Sequence, residues 1–185
     1  MHSETVAQNP CRTFFQLHEL NQDKVKALNE QEDRLNWESL SASSHSPGIV
    51  DSGEVLCRIL FDPIHFDPLT STLKPSAFDD ICNKGLSVNR VKHRGIAESL
   101  AAGAAQAETA SRLRTPRSLY GHLVALASEL RSVAREGQRC LAIYDTAIPE
   151  NPSHADVCMV VPDRAAFRSA RAQLHDKYKS QLVPA

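Results

Sequence analysis

With 185 residues, the chain has the size of one ordinary domain plus an appendage, too short for two full domains. Hydrophobic residues make up 42% of it and aromatic residues only 5%, so the core has to rest on Leu, Val, Ile and Ala. Twenty-one basic residues against 22 acidic ones leave a net charge of −1, which removes the general electrostatic reason to expect a nucleic-acid or anionic-membrane binder.

No apolar run approaches the roughly 18–20 residues of a membrane span, and MHSETVAQNPCRTFF lacks the basic-then-apolar order of a signal peptide. The expectation is a cytoplasmic protein with no membrane contact. Five cysteines without a CxxC pair predict free thiols, with Cys57, Cys140 and Cys158 as small buried groups inside apolar runs.

Residues 12–38 carry Phe14, Leu17, Leu20, Val25, Leu28 and Leu35 at helical spacing among polar residues, which predicts one or two amphipathic helices. The Ser-rich stretch from Ser39 to Gly53 reads as a solvated linker. Residues 1–53 are therefore an N-terminal helical arm and linker, and 54–185 a single domain. EVLCRIL (54–60) is a strand with Val55, Cys57 and Ile59 on one face and Leu56, Arg58 and Leu60 on the other. The segment 61–80, with its three prolines, is a structured loop, and LSVNR (86–90) is a short alternating strand.

The Ala-rich segment from Ile96 to Arg114 has high helix propensity. Thr115 as an N-cap with Pro116 at the first position predicts a second helix, with Leu119, Leu123, Leu126, Leu130 and Val133 on one face and Gly137 at its end; 130–135 stays open between helix and strand. RCLAIYD (139–145) and ADVCMVV (155–161) read as central strands. Asp163 can cap a last helix that turns Phe167, Ala170, Leu174 and Tyr178 inward and runs to about Gln181. The fold class is α/β or α+β: a small mixed sheet of about four to five strands with flanking helices.

Three constellations can carry chemistry. His65 lies in a loop between Asp62 and Asp67, residue types that ligate metals and that also build tight Asp-Pro turns. His154 and Asp156 alternate onto one side of a strand, so the carboxylate can orient the imidazole. Arg58 in mid-strand needs an anionic partner, either an internal carboxylate such as Asp145 or Asp156 or a bound nucleotide-like anion, with Ser87, Asn89 and Arg90 on a neighbouring strand. Signatures of P-loop, dinucleotide-binding, α/β-hydrolase, zincin and zinc-ribbon proteins are absent. Cys57 and Cys158, inside apolar strands, do not have the exposed, electropositive setting of a nucleophilic thiolate.

EVLCRILFDPIHFD, LKPSAFDDICNKGLSVNR and LAIYDTAIPENPSHADV together resemble a family of small uncharacterised bacterial proteins. That family has an Arg in the first strand, a following His, an SAF segment, an LSV strand and a late Asn-Pro-x-His-Ala. The likeness covers about residues 54–161 and implies that Arg58, His65, Ser87 and His154 belong to one unit; it transfers no catalytic residue. Arg58, Ser87 and His154 also resemble, in their order, the ADP-ribosyltransferase-like folds, RES-type toxins included, in which an early-strand Arg or His, a later Ser or Tyr and a third polar residue surround NAD.

Two readings follow. In the first, the protein is an accessory or partner-binding module that docks a protein through its N-terminal arm. The alternative is a small enzyme or ligand-binding domain acting on a nucleotide, NAD or RNA-type anion as a transferase or hydrolase. Its acid and base are His65 and His154, its ligand groups are Arg58, Ser87, Arg90 and Asp156, and a metal variant uses Asp62, His65 and Asp67.

Overall fold

The computed structural model describes residues 9–113 and 116–185. In chain order the elements are α1 (Pro10–Leu17), α2 (Lys24–Asn29), a 3-10 turn (Asn36–Ser39), β1 (Val55–Asp62), β2 (Phe66–Asp67), β3 (Thr72–Leu73), a longer 3-10 segment (Pro75–Cys82) and β4 (Leu86–Arg90). They continue with α3 (Ile96–Arg112), β5 (Ser118–Leu126), α4 (Ala127–Arg131), β6 (Ala134–Arg135), β7 (Gln138–Arg139), β8 (Leu141–Tyr144), β9 (His154–Met159), α5 (Arg164–Tyr178) and β10 (Val183–Pro184). Six strands form the main sheet in the order β10-β5-β1-β4-β9-β8, and its registered pairs are antiparallel. The mixed fold class stands, with one strand more than the upper expectation. Among the described residues no helix is long and apolar enough to cross a membrane.

Local chemistry accounts for most boundaries. Asn9 caps α1 by accepting from the Arg12 N–H, with Pro10 in the first turn. Asp163 caps α5 by accepting from the N–H groups of Ala165 and Ala166, and the helix buries Ala166, Ala170, Leu174 and Tyr178. It ends at Tyr178, three residues short of the expected Gln181.

The helix expected over 116–136 is not formed. Its first half is the strand β5, paired with β1 from Val55↔Leu126 to Asp62↔Ser118, followed by the short α4 and the β6/β7 hairpin. The leucine spacing suits a helix, but Tyr120 and Val124 suit a strand, the mid-segment Gly121 weakens a helix, and a long ladder with β1 decides the outcome. Gly121 is needed there: a Cβ would lie 2.1 Å from the Val183 carbonyl oxygen of β10. Thr115, the expected cap, lies outside the described residues.

A second difference concerns β8, expected in the middle of the sheet and found at its edge. The exposed side of that edge is occupied by side chains. Ile143 N–H donates to Glu38 Oε1 at 2.7 Å, and the Tyr144 hydroxyl donates to the Arg34 carbonyl at 2.7 Å. Glu38 also accepts from Arg131 and Arg139. The edge is thereby covered rather than open to another strand.

Register fixes the two faces of the sheet. Cys57, Asn89, Ser87, Asp156 and Tyr144 share one face. Helix α3 packs on its β1 half through the cluster of Cys57, Ile59, Phe61 and Ala107. On the other half, Lys24 of α2 meets Asp156, and Phe15 of α1 stacks 4.9 Å from Tyr144. Leu56, Leu60, Leu86, Val88 and Val157 face the opposite way, into the main core with Ala170, Leu174 and Tyr178 of α5. Phe14, Phe15, Val25, Leu28 and Trp37 of the arm belong to that same core cluster, as do Ala42 and Val50 of the Ser-rich stretch. Leu17 and Leu20 remain exposed.

Helix α3 lies close to β1 because residue 103 has no side chain: a Cβ there would come within 2.7 Å of Ile59 Cγ2. Gly103→Leu is expected to push α3 off the sheet and cost about 1–3 kcal/mol through overpacking. Urea denaturation checks this, and an unchanged midpoint would show that the contact is not tight.

Candidate functional site

Strands β1 and β4 are registered only at Leu56↔Arg90 and Cys57↔Asn89. Beyond those residues β4 stays with β9 down to Leu86 while β1 follows β5 to Asp62, so the two part. The Arg58 side chain fills the gap. Its Nη1 donates to the Ser87 carbonyl at 3.0 Å, a main-chain oxygen that β1 no longer reaches. Above the gap opens a cleft of about 850 Å³, lined among others by Arg58, His65, Asp80, Ser87, Arg117 and His154.

Arg58 is under-compensated. Its side chain is 13% exposed, and the nearest carboxylate oxygen, Asp80 Oδ2, lies 3.8 Å from Nη2 and is shared with Lys84. Burial pulls the guanidinium pKa down, with Asp80 and Asp156 acting against that. The internal partners suggested by the sequence are occupied elsewhere: Asp145 accepts from Ser41 and from the Ala42 N–H, and Asp156 pairs with Lys24 Nζ at 2.6 Å.

His65 sits beside Arg58 with a fixed tautomer. The Phe61 N–H donates to its Nδ1 at 3.1 Å, so in the neutral ring Nε2 carries the hydrogen. Burial, then Arg58, Arg117 and Lys84, push its pKa down to about 3, which keeps the ring neutral. Its Nε2 lies 3.5 Å from Arg58 Nη2. Two donors cannot bond to each other, so both are available to a common acceptor. Nearby, Arg58 Nε, Arg117 Nε and Ser99 Oγ are also buried without a partner among the described residues, and all three side chains line the cleft.

His154 has the other tautomer. Its Nδ1 is 3.0 Å from the Thr146 carbonyl, which can only accept, so Nδ1 carries the hydrogen and Nε2 a lone pair. Ser87 Oγ lies 2.8 Å from that Nε2 and donates to it. Asp156 Oδ1 stands 3.8 Å from the same nitrogen. Burial works against the Asp156 carboxylate, but Lys24, His154 and a Thr146 hydrogen bond together hold its pKa below the ordinary value. Gly85 makes room for this carboxylate: at φ +90° it has no side chain, and a Cβ would fall 2.9 Å from Asp156 Cγ.

The cleft thus brings together Arg58, His65, Ser87 and His154, the four residues that the resemblance implied as one unit. Arg90 is elsewhere. Its five N–H groups are taken by both Glu54 oxygens, the Gly48 and Ile49 carbonyls and Ser46, on the face away from the cleft. Asp156 is a buried neighbour of His154 rather than a group facing the cleft. The metal set of Asp62, His65 and Asp67 does not assemble: Asp67 accepts from the Leu69 N–H in a turn, and His65 turns Nε2 toward the Arg58 cation. No group of three or more metal-ligating residues gathers among the described residues. The five cysteines are free thiols, four of them buried, and burial pushes Cys57 up to about 11.

Asp80, Lys84, Ser99 and Arg117 escaped the reading of the sequence. The one signal for Ser99 is its place with Gly103 and Ala107 in a four-residue rhythm of small buried residues.

A histidine held neutral makes stability depend on pH. The unfolded chain binds a proton at residue 65 below about pH 6.5 and the folded protein does not until about pH 3. Stability present above pH 6.5 is therefore lost as the pH falls through that window, by up to about 1.4 kcal/mol per unit. His65→Asn, whose Oδ1 can still accept from Phe61, is expected to flatten this dependence between pH 6.5 and 5; equal slopes in urea titrations would contradict it. Comparison with protein-family models, curated proteins and solved structures finds no match for this chain.

Proposed function

We propose that the protein is a small enzyme whose cleft takes a phosphate-bearing substrate of the nucleotide class. The observation that supports this most directly is a pair of donors without a shared acceptor in one cleft: Arg58 Nη2 beside His65 Nε2–H, with Arg117 and Ser99 also in the lining. An unsatisfied buried donor costs about 1–3 kcal/mol, and more when charged. A tetrahedral oxyanion, with several acceptor oxygens, matches that demand, and a guanidinium is the side chain best suited to hold one. The likeness to ADP-ribosyltransferase-like folds adds NAD to the candidates, as a dinucleotide with two phosphates; Arg58 on an early strand and Ser87 on the strand that parts from it fit its order of residues. A protein partner docking on the arm would have to use what the core leaves outside, chiefly Leu17 and Leu20, since the other apolar residues of the arm are buried.

Titration with pyrophosphate, ADP and NAD, read by thermal shift and calorimetry, tests the proposal. A ligand at about 100 times its Kd should stabilise the fold by about 2.7 kcal/mol. Arg58→Gln is expected to weaken binding at least tenfold, about 1.4 kcal/mol, while leaving the unliganded melting point unchanged or raised, because removing a poorly paired charge offsets the lost hydrogen bond to the Ser87 carbonyl. No response of the wild type to any of the three ligands would sink the reading, and a large loss of stability in Arg58→Gln would make the arginine structural.

A further inference from the structure

The geometry points to Ser87 as a covalent nucleophile, with His154 as its general base and Arg58 and His65 as the oxyanion donors, acting on a phosphoester or phosphoanhydride. This deepens the reading of the cleft given above and uses the same site. Ser87 Oγ is exposed to the cleft and 2.8 Å from an imidazole nitrogen whose lone pair is aimed at it. The Thr146 carbonyl, 3.0 Å from Nδ1, fixes that orientation, the role that a third group has in any serine–histidine pair. Arg58 Nη1 is bonded to the main-chain oxygen of Ser87 itself, which places the guanidinium next to the reacting hydroxyl. Asp156, 3.8 Å from Nε2, supplies negative charge where an imidazolium forms.

The step balances within the site. The Ser87 oxygen forms a bond to phosphorus as the bond from phosphorus to the leaving oxygen breaks. The Ser87 proton passes to His154 Nε2 and from there to the leaving oxygen. Water then attacks the phosphoserine, giving its proton to His154, and Ser87 recovers a proton as the phosphate departs. Charge that builds on the non-bridging oxygens faces Arg58 and the His65 Nε2–H.

A fluorophosphonate tests the dyad without knowledge of the substrate: Ser87 displaces fluoride and keeps the phosphonyl group, detectable as a mass adduct on the peptide containing residue 87. The full chain is expected to label at Ser87 and Ser87→Ala not to label in that peptide. His154→Gln, which can still accept a hydrogen bond from Ser87 but cannot take its proton, should label at least about 100-fold more slowly. Circular dichroism on each variant shows that the fold is kept, and His154→Asn replaces the glutamine variant if that one unfolds. Absence of the adduct in the folded wild type, or equal labelling rates in wild type and His154→Gln, would overturn the dyad. Labelling at Ser87 without any nucleotide binding would leave the dyad in place and remove the nucleotide reading. Nucleotide binding with an inert Ser87 would do the reverse.

Discussion

The separation of β1 from β4 is the constraint on which the site depends. Two strands that pair at Leu56↔Arg90 and Cys57↔Asn89 and then part leave main-chain groups in mid-sheet that need partners. A long cationic side chain resolves this, since Arg58 can span the gap and donate to the Ser87 carbonyl through Nη1 while Nη2 stays beside His65. Sheet geometry and the charge of the cleft are thus joined in one residue. The opening between the strands makes the cleft, and the group that bridges the opening supplies positive charge to its lining.

Three buried cations show how differently the same protein treats its charges. Arg90 meets Glu54 in a fork with every donor satisfied, and Lys24 is seated on Asp156. Each is a closed pair, and the geometry gives no reason to look for an external partner. Arg58 has a carboxylate at 3.8 Å that Lys84 shares, and an Nε with no partner among the described residues. Pairing, more than burial, separates the two closed pairs from the one cation left open to the cleft.

Much of this was legible in the chain. Strands rich in β-branched residues, the Asp163 cap and the Ala-rich helix could be read locally because propensity and tertiary context agree there. In 116–136 they disagree: leucines at 119, 123, 126, 130 and 133 imitate a helical face, whereas eight registered pairs with β1 make the first half a strand. Such pairing joins residues 56 to 71 apart in sequence, and a local pattern carries no trace of it. The site divides in the same way. Arg58 stood out as a charge inside an apolar strand, whereas Asp80, Lys84 and Arg117 look like any surface charge until the 3-10 segment, the turn after it and the approach to β5 bring them to the cleft. Arg90 carried the same signal as Arg58, and only its geometry with Glu54 distinguishes the two.

The pairs that close the site also set the order in which it can be completed as the chain is made. Arg58 and Ser87 leave the ribosome before β9, since His154 follows Ser87 by 67 residues and Asp156 follows Lys24 by 132. Until β9 has been synthesised, Lys24 has no carboxylate and Ser87 has no imidazole. Contacts of such long range slow folding because loop closure precedes the reward. The nascent protein therefore has no complete cleft before β9 emerges, and that one strand brings both the hydrogen-bond acceptor for Ser87 and the counter-charge for the arm.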